Sequence, residues 1–118
     1  MFLAIDLGNT NITFGVFRGK RLAQTFSLPT QACRSGGLAR RLRRYRAAVA
    51  VAEHAILCSV VPWATPKVIA GIRYVSDTIR VRVVGRDVLV PLKNRYRYPR
   101  QVGQDRLVGA YAAWKEFK

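Results

Sequence analysis

Apolar and polar positions near the start of the chain follow the two-residue period of β-strands. Residues 2–7 (Phe-Leu-Ala-Ile-Asp-Leu) are almost all apolar, which predicts a short buried strand running into a polar turn, Gly8-Asn9-Thr10-Asn11. Residues 12–18 put Ile12, Phe14 and Val16 on one face, and residues 21–28 alternate again through Leu22, Phe26 and Leu28. With Gly19-Lys20 as a tight turn, this region reads as two or three antiparallel strands on short glycine turns. Pro29 to Gly37 reads as a loop. The period then changes: Leu38, Leu42, Tyr45 and Val49 recur at helical steps and predict one helix over residues 38–51 with a single apolar stripe. Residues 55–61 are nearly continuous apolar, the pattern of a central strand covered on both sides and ended by Pro62. Pro66 suits the first turn of a short helix reaching Ile72. Residues 79–84 and 87–90 are strand-like runs around Gly85-Arg86, and a loop rich in Tyr, Arg and Pro follows from Pro91 to Gln101. A last helix is predicted from Gly103 or Gln104 to Phe117, with Leu107, Ala110, Tyr111, Trp114 and Phe117 on its apolar face. No repeat or low-complexity linker interrupts the pattern. Alternating strands and helices predict an α/β domain, a mixed sheet with flanking helices.

Length and composition narrow this picture. A chain of 118 residues, 50% hydrophobic and 23% charged, can bury a real core but not two ordinary domains, and wholesale disorder is disfavoured. No apolar run nears the ~20 residues of a membrane span. The N-terminus lacks the basic start of a signal peptide, and Cys33 and Cys58 match no metal-binding spacing. A cytoplasmic protein with two indifferent thiols and no membrane partner is expected.

The charge balance is extreme, with 21 basic against 6 acidic residues and a formal net charge of +15. No acid occurs between Asp6 and Glu53, and Arg40, Arg41, Arg43, Arg44 and Arg46 crowd the predicted helix. Like charges three and four residues apart cost about a few tenths of a kcal/mol each, so the apolar stripe must pack against something for that helix to persist. Such a field attracts polyanions and leaves a nucleic-acid-binding module open. The Arg residues are spread over several segments without a recognised nucleic-acid motif, and solvated Arg faces account for them as well.

Two stretches carry candidate chemistry. In the first, Asp6 ends a buried strand, where a carboxylate can hold a hydrated cation. Gly8 lets the backbone approach a ligand closely, and Asn9, Thr10 and Asn11 add donors for phosphate oxygens. Positioning and charge neutralisation of this kind are what phosphoryl transfer requires. The same residues also serve as an ordinary hairpin turn, and no P-loop lysine follows. In the second stretch, Tyr96 to Arg106, Gly103 permits a tight start to the last helix. Asp105 occupies the first turn, and Arg106 supplies a guanidinium suited to a carboxylate. An aspartate beside a substrate hydroxyl can accept its proton during phosphoryl transfer; the same Asp105 also serves as a helix-start charge.

Together the stretches Leu3-Ala4-Ile5-Asp6-Leu7-Gly8-Asn9-Thr10-Asn11, Ser59-Val60-Val61-Pro62, and Tyr96 through Arg106 leading into Ala110-Tyr111-Ala112-Ala113 resemble the N-terminal half of type III pantothenate kinases. These belong to the acetate and sugar kinase, Hsp70 and actin superfamily. The resemblance implies a ribonuclease H-like (actin-like ATPase) N-terminal domain over residues 1–118. It also implies ATP-dependent phosphorylation of pantothenate to 4'-phosphopantothenate, the first step of coenzyme A synthesis. Gly8 to Asn11 would receive the ATP phosphates, with Asp6 positioning Mg²⁺. Asp105 would be the general base, and Tyr96, Gly103 and Arg106 would line the pantothenate pocket. A monovalent cation (K⁺ or NH₄⁺) and a homodimer are further implications.

Some features depart from the family pattern. Family members carry a second superfamily domain that has no counterpart in this sequence, Tyr98 stands where Asn is usual, and the Arg load is heavy. A single lobe cannot enclose a nucleotide, so the expectation is little or no kinase activity from these 118 residues alone. A non-enzymatic transcription accessory relative is the alternative.

Overall fold

The computed structural model describes residues 1–84. Phe2–Leu7 forms β1, Asn11–Arg18 β2 and Arg21–Pro29 β3; Ala32–Ser35, Leu38–Arg43 and Arg46–Ala50 form the short helices α1, α2 and α3. His54–Ser59 is β4, Thr65–Val75 is α4 and Arg80–Val83 is β5. The strands make one sheet in the order β3-β2-β1-β4-β5, with β1 antiparallel to β2 and parallel to β4, and β4 parallel to β5. This is the expected α/β architecture with a mixed sheet. The predicted run 87–90, the loop 91–101 and the helix 103–117 lie outside the described residues.

Period-two alternation sorts the sheet's side chains into two layers. Leu3, Ile5, Leu7, Ile12, Phe14, Val16, Ala55 and Leu57 face the helices and pack with Leu38, Leu42, Val49, Val68 and Ile72. Phe2, Ala4, Phe17, Ile56 and Cys58 face the other way and form a second cluster, to which no described helix contributes. The near-continuous apolar run in β4 is thereby explained, since both of its faces are buried. Cys33 and Cys58 are both buried and form no disulfide, as expected. Burial raises the Cys33 thiol above its ordinary range, and the Lys67 ammonium opposes this in part.

Three local differences from the sequence pattern have physical causes. Residues 22, 26 and 28 share one alternation phase, yet Leu22 packs in the second cluster while Phe26 and Leu28 join the first. The cause is a register shift at Val16/Phe17, where β3 holds one extra residue and Leu22 pairs with Phe17. The Pro29–Gly37 loop contains the one-turn α1, closed by Gly36 in the left-handed conformation (φ 73°). The single helix over 38–51 is two pieces. At the break the N–H groups of Arg44 and Tyr45 bond the carbonyls three residues back, at 3.3 and 2.9 Å. The break lets Tyr45 stack on Phe26, with ring centroids 3.9 Å apart and planes 4° from parallel. In an Arg-rich segment with no acid to offset the repulsion, that aromatic contact outweighs helix continuity. In the other direction, α4 runs one turn beyond Ile72, to Val75. It lies close against α2, since a Cβ on Gly71 would come within 3.2 Å of both Leu38 and Leu42. No described helix is long and apolar enough to cross a membrane.

Candidate active site at the carboxyl end of β1

Ligands of open α/β sheets gather beyond the carboxyl ends of the parallel strands. Here β1 and β4 end side by side, and the Val60 N–H donates to the Leu7 carbonyl at 3.1 Å. The turn Gly8–Asn11 emerges at this edge, with Asn9, Thr10 and Asn11 exposed and Gly8 half-buried. Asp6, the last side chain of β1 on the second face, is 7% exposed. The sheet register sets Ser27, Thr13, Asp6 and Cys58 in one row across four strands. Ser27 Oγ donates to Thr13 Oγ1 at 3.4 Å. One end of this face is therefore polar around a carboxylate, while the other is the apolar cluster of Phe2, Ala4, Phe17 and Ile56.

The turn is held from both sides. The Gly8 N–H donates to the Asn11 carbonyl at 3.0 Å, and the Gly8 carbonyl accepts Thr30 Oγ1 at 2.7 Å. The Thr30 N–H donates to the Thr10 carbonyl at 2.9 Å. Among the described residues, the N–H groups of Asn9 and Thr10 donate to no protein acceptor. Exposed, unclaimed N–H groups in a tight turn suit an anion. Gly8 does not adopt a positive φ; its lack of a side chain matters because a Cβ there would lie 3.2 Å from the Asn11 carbonyl oxygen. Gly8→Ala is expected to push the turn open by a few tenths of an ångström and weaken binding of an anion such as inorganic tripolyphosphate about fivefold, the scale of one misaligned hydrogen bond. Isothermal titration of both proteins checks this.

Beside the turn, the β4–α4 segment is fixed by its own hydroxyls. Ser59 Oγ accepts the Val61 N–H at 3.0 Å and Thr65 Oγ1 at 2.8 Å, which locks Ser59-Val60-Val61-Pro62 as it enters α4. The Arg34 guanidinium lies 4.2 Å from the Trp63 ring centroid and ties this segment to α1.

The structure thus brings Asp6, Gly8, Asn9, Thr10 and Asn11 to one edge of the sheet. Tyr96, Tyr98, Gly103, Asp105 and Arg106 lie outside the described residues. Sequence reasoning missed Thr13, Ser27 and Thr30. Thr13 and Ser27 had a signal, being the polar members of the alternation in the two strands that follow Asp6. Thr30 had none, because its partners are fixed only when β3 returns alongside β2.

No group of three or more His, Cys, Asp or Glu occurs among the described residues, so a multi-ligand protein cage for a metal is absent there. The donors at hand are one carboxylate and neutral oxygens. That set fits a hard cation such as Mg²⁺, which is held through one or two carboxylates with phosphate oxygens and water completing its shell.

The model of the type III pantothenate kinase family matches residues 2–118. The type III pantothenate kinase of Agathobacter rectalis is 36% identical over 121 residues, covering 98% of this chain and 46% of the relative. That of Oleidesulfovibrio alaskensis is 33% identical over 118 residues, covering 96% and 44%. That of Myxococcus xanthus is 33% identical over 122 residues, covering 98% and 46%. The chain spans a little under half the length of these curated relatives.

Proposed function

Because the chain belongs to the type III pantothenate kinase family, we propose that it is the N-terminal lobe of an ATP-dependent kinase that phosphorylates pantothenate to 4'-phosphopantothenate in the cytoplasm. The observation that carries this reading is the buried Asp6 carboxylate at the carboxyl end of β1, beside a turn with unclaimed N–H groups. Phosphoryl transfer is catalysed chiefly by positioning and charge neutralisation, and this edge of the sheet has the groups for both. The N–H groups of Asn9 and Thr10 orient phosphate oxygens, and Asp6 would hold Mg²⁺. When bound, Mg²⁺ offsets the charge on the phosphates. Asp105 accepts the proton of the substrate's primary hydroxyl, and Arg106, with Tyr96 and Gly103, receives pantothenate, whose carboxylate suits a guanidinium. A homodimer and a bound K⁺ or NH₄⁺ belong to the same proposal.

The test is a titration of the ¹⁵N-labelled chain with Mg-ATP and, separately, with pantothenate. Mg-ATP is expected to shift the amides of Gly8 to Asn11, and pantothenate those near Arg106. Amides of the turn that stay unmoved at millimolar Mg-ATP would overturn the assignment of the turn.

A further inference from the structure

We propose that Thr30 is a positioning residue for phosphate recognition, setting the direction of the Asn9 N–H without touching the ligand; this rests on the reading of Gly8–Asn11 as the phosphate turn. Thr30 is 2% exposed, so its side chain cannot reach a nucleotide. It nevertheless makes two hydrogen bonds to the turn, Oγ1 to the Gly8 carbonyl at 2.7 Å and N–H to the Thr10 carbonyl at 2.9 Å. Among the described residues, no other side chain hydrogen-bonds to residues 8–11.

The consequence follows from the planar trans peptide. Each C=O is rigidly opposed to the N–H of the next residue, and no cis bond occurs among the described residues. Drawing the Gly8 carbonyl toward Thr30 therefore points the Asn9 N–H away from it. Holding the Thr10 carbonyl fixes the far end of the turn against β3 and points the Asn11 N–H back toward β1, so the Asn9 N–H is the donor that Thr30 aims outward. A phosphate meeting this edge finds the Asn9 donor already aimed, which lowers the ordering cost of binding. Without the Oγ1 bond the Gly8–Asn9 peptide is less restrained, and its half-buried carbonyl loses a partner. The backbone bond to Thr10 is kept by Val, Ala and Ser at position 30, so the hydroxyl acts on the Gly8–Asn9 unit alone.

The experiment compares wild type with Thr30→Val, Thr30→Ala and Thr30→Ser, all in the full 118-residue chain. Mg-ATP and inorganic tripolyphosphate are titrated while the amides of residues 8–11 are followed by NMR. Thr30→Val is expected to weaken both ligands about tenfold, with the largest spectral change at the Asn9 amide, and Thr30→Ser to stay within about twofold of wild type. Equal loss for both ligands locates the effect at the phosphates rather than the nucleoside. If Thr30→Val does not fold, Ser against Ala decides, since they differ by the hydroxyl alone. Equal affinities for Ser and Ala, or an unchanged Val variant, would overturn the role of Thr30. If wild type itself shows no shift in the turn with either ligand, the phosphate reading fails instead, and the two failures are thereby distinct. A melting-temperature loss shared by Ser and Ala, with affinity unchanged, would mark a merely structural threonine.

Discussion

Asp6→Asn is expected to lower Mg-ATP affinity by about two orders of magnitude, the equivalent of losing one interaction with a charged partner in a shielded site. Asparagine keeps the shape of the side chain and removes only its charge. At 7% exposure the carboxylate is little screened by solvent, so its attraction for a divalent cation is much stronger than at a surface. The clearest readout is the metal dependence. Wild type should bind ATP far better with Mg²⁺ than with EDTA present, and Asp6→Asn should bind equally weakly in both. Far-ultraviolet circular dichroism confirms that the variant retains its sheet. A variant that keeps its Mg²⁺ dependence would remove Asp6 from the proposed chemistry.

The second large effect concerns stability. Phe14→Ala should destabilise the protein by about 3–5 kcal/mol, the usual range for truncating a buried aromatic. Phe14 is 0% exposed in the helix-facing layer, and its ring stacks on Phe26 at 4.7 Å with an 11° interplanar angle. Phe26 in turn stacks on Tyr45, so the truncation also removes support from the joint between α2 and α3. In a domain of this size such a loss lowers the melting temperature by about 15 °C or more. Tyr74→Ala serves as the reference, since Tyr74 is 69% exposed and its loss should stay within about 0.5 kcal/mol. Urea denaturation of the three proteins, followed by tryptophan fluorescence and circular dichroism, separates these outcomes. A Phe14→Ala midpoint close to that of Tyr74→Ala would contradict the packing described for the aromatic column.

Much of the candidate site was legible because it is local. Asp6, Gly8, Asn9, Thr10 and Asn11 are consecutive or nearly so, and a strand running into a polar glycine turn carries them to one edge whatever the remainder does. The motif's resemblance to a kinase family was readable for the same reason, and the family match over residues 2–118 bears it out. The opening strands were readable because alternation between two faces needs only neighbouring positions. Even so, one extra residue in β3 sent Leu22 to the opposite layer, and no local pattern announces such a shift. The α2–α3 break was hidden likewise: the apolar stripe is continuous in sequence, while the ring that interrupts the helix finds its partner on β3.

The sequence by itself determined which segments alternate, where the chain must turn, and that a carboxylate and a glycine turn stand together at the end of the first strand. Those properties depend on residues a few positions apart, within reach of backbone geometry and side-chain period. Tertiary structure alone decided that Ser27, Thr13, Asp6 and Cys58 share a row, that β4 lies beside β1, and that Thr30 grips Gly8 across 22 positions. Strand pairing and long-range hydrogen bonds are settled by which faces bury together, a competition among distant segments that no single stretch encodes.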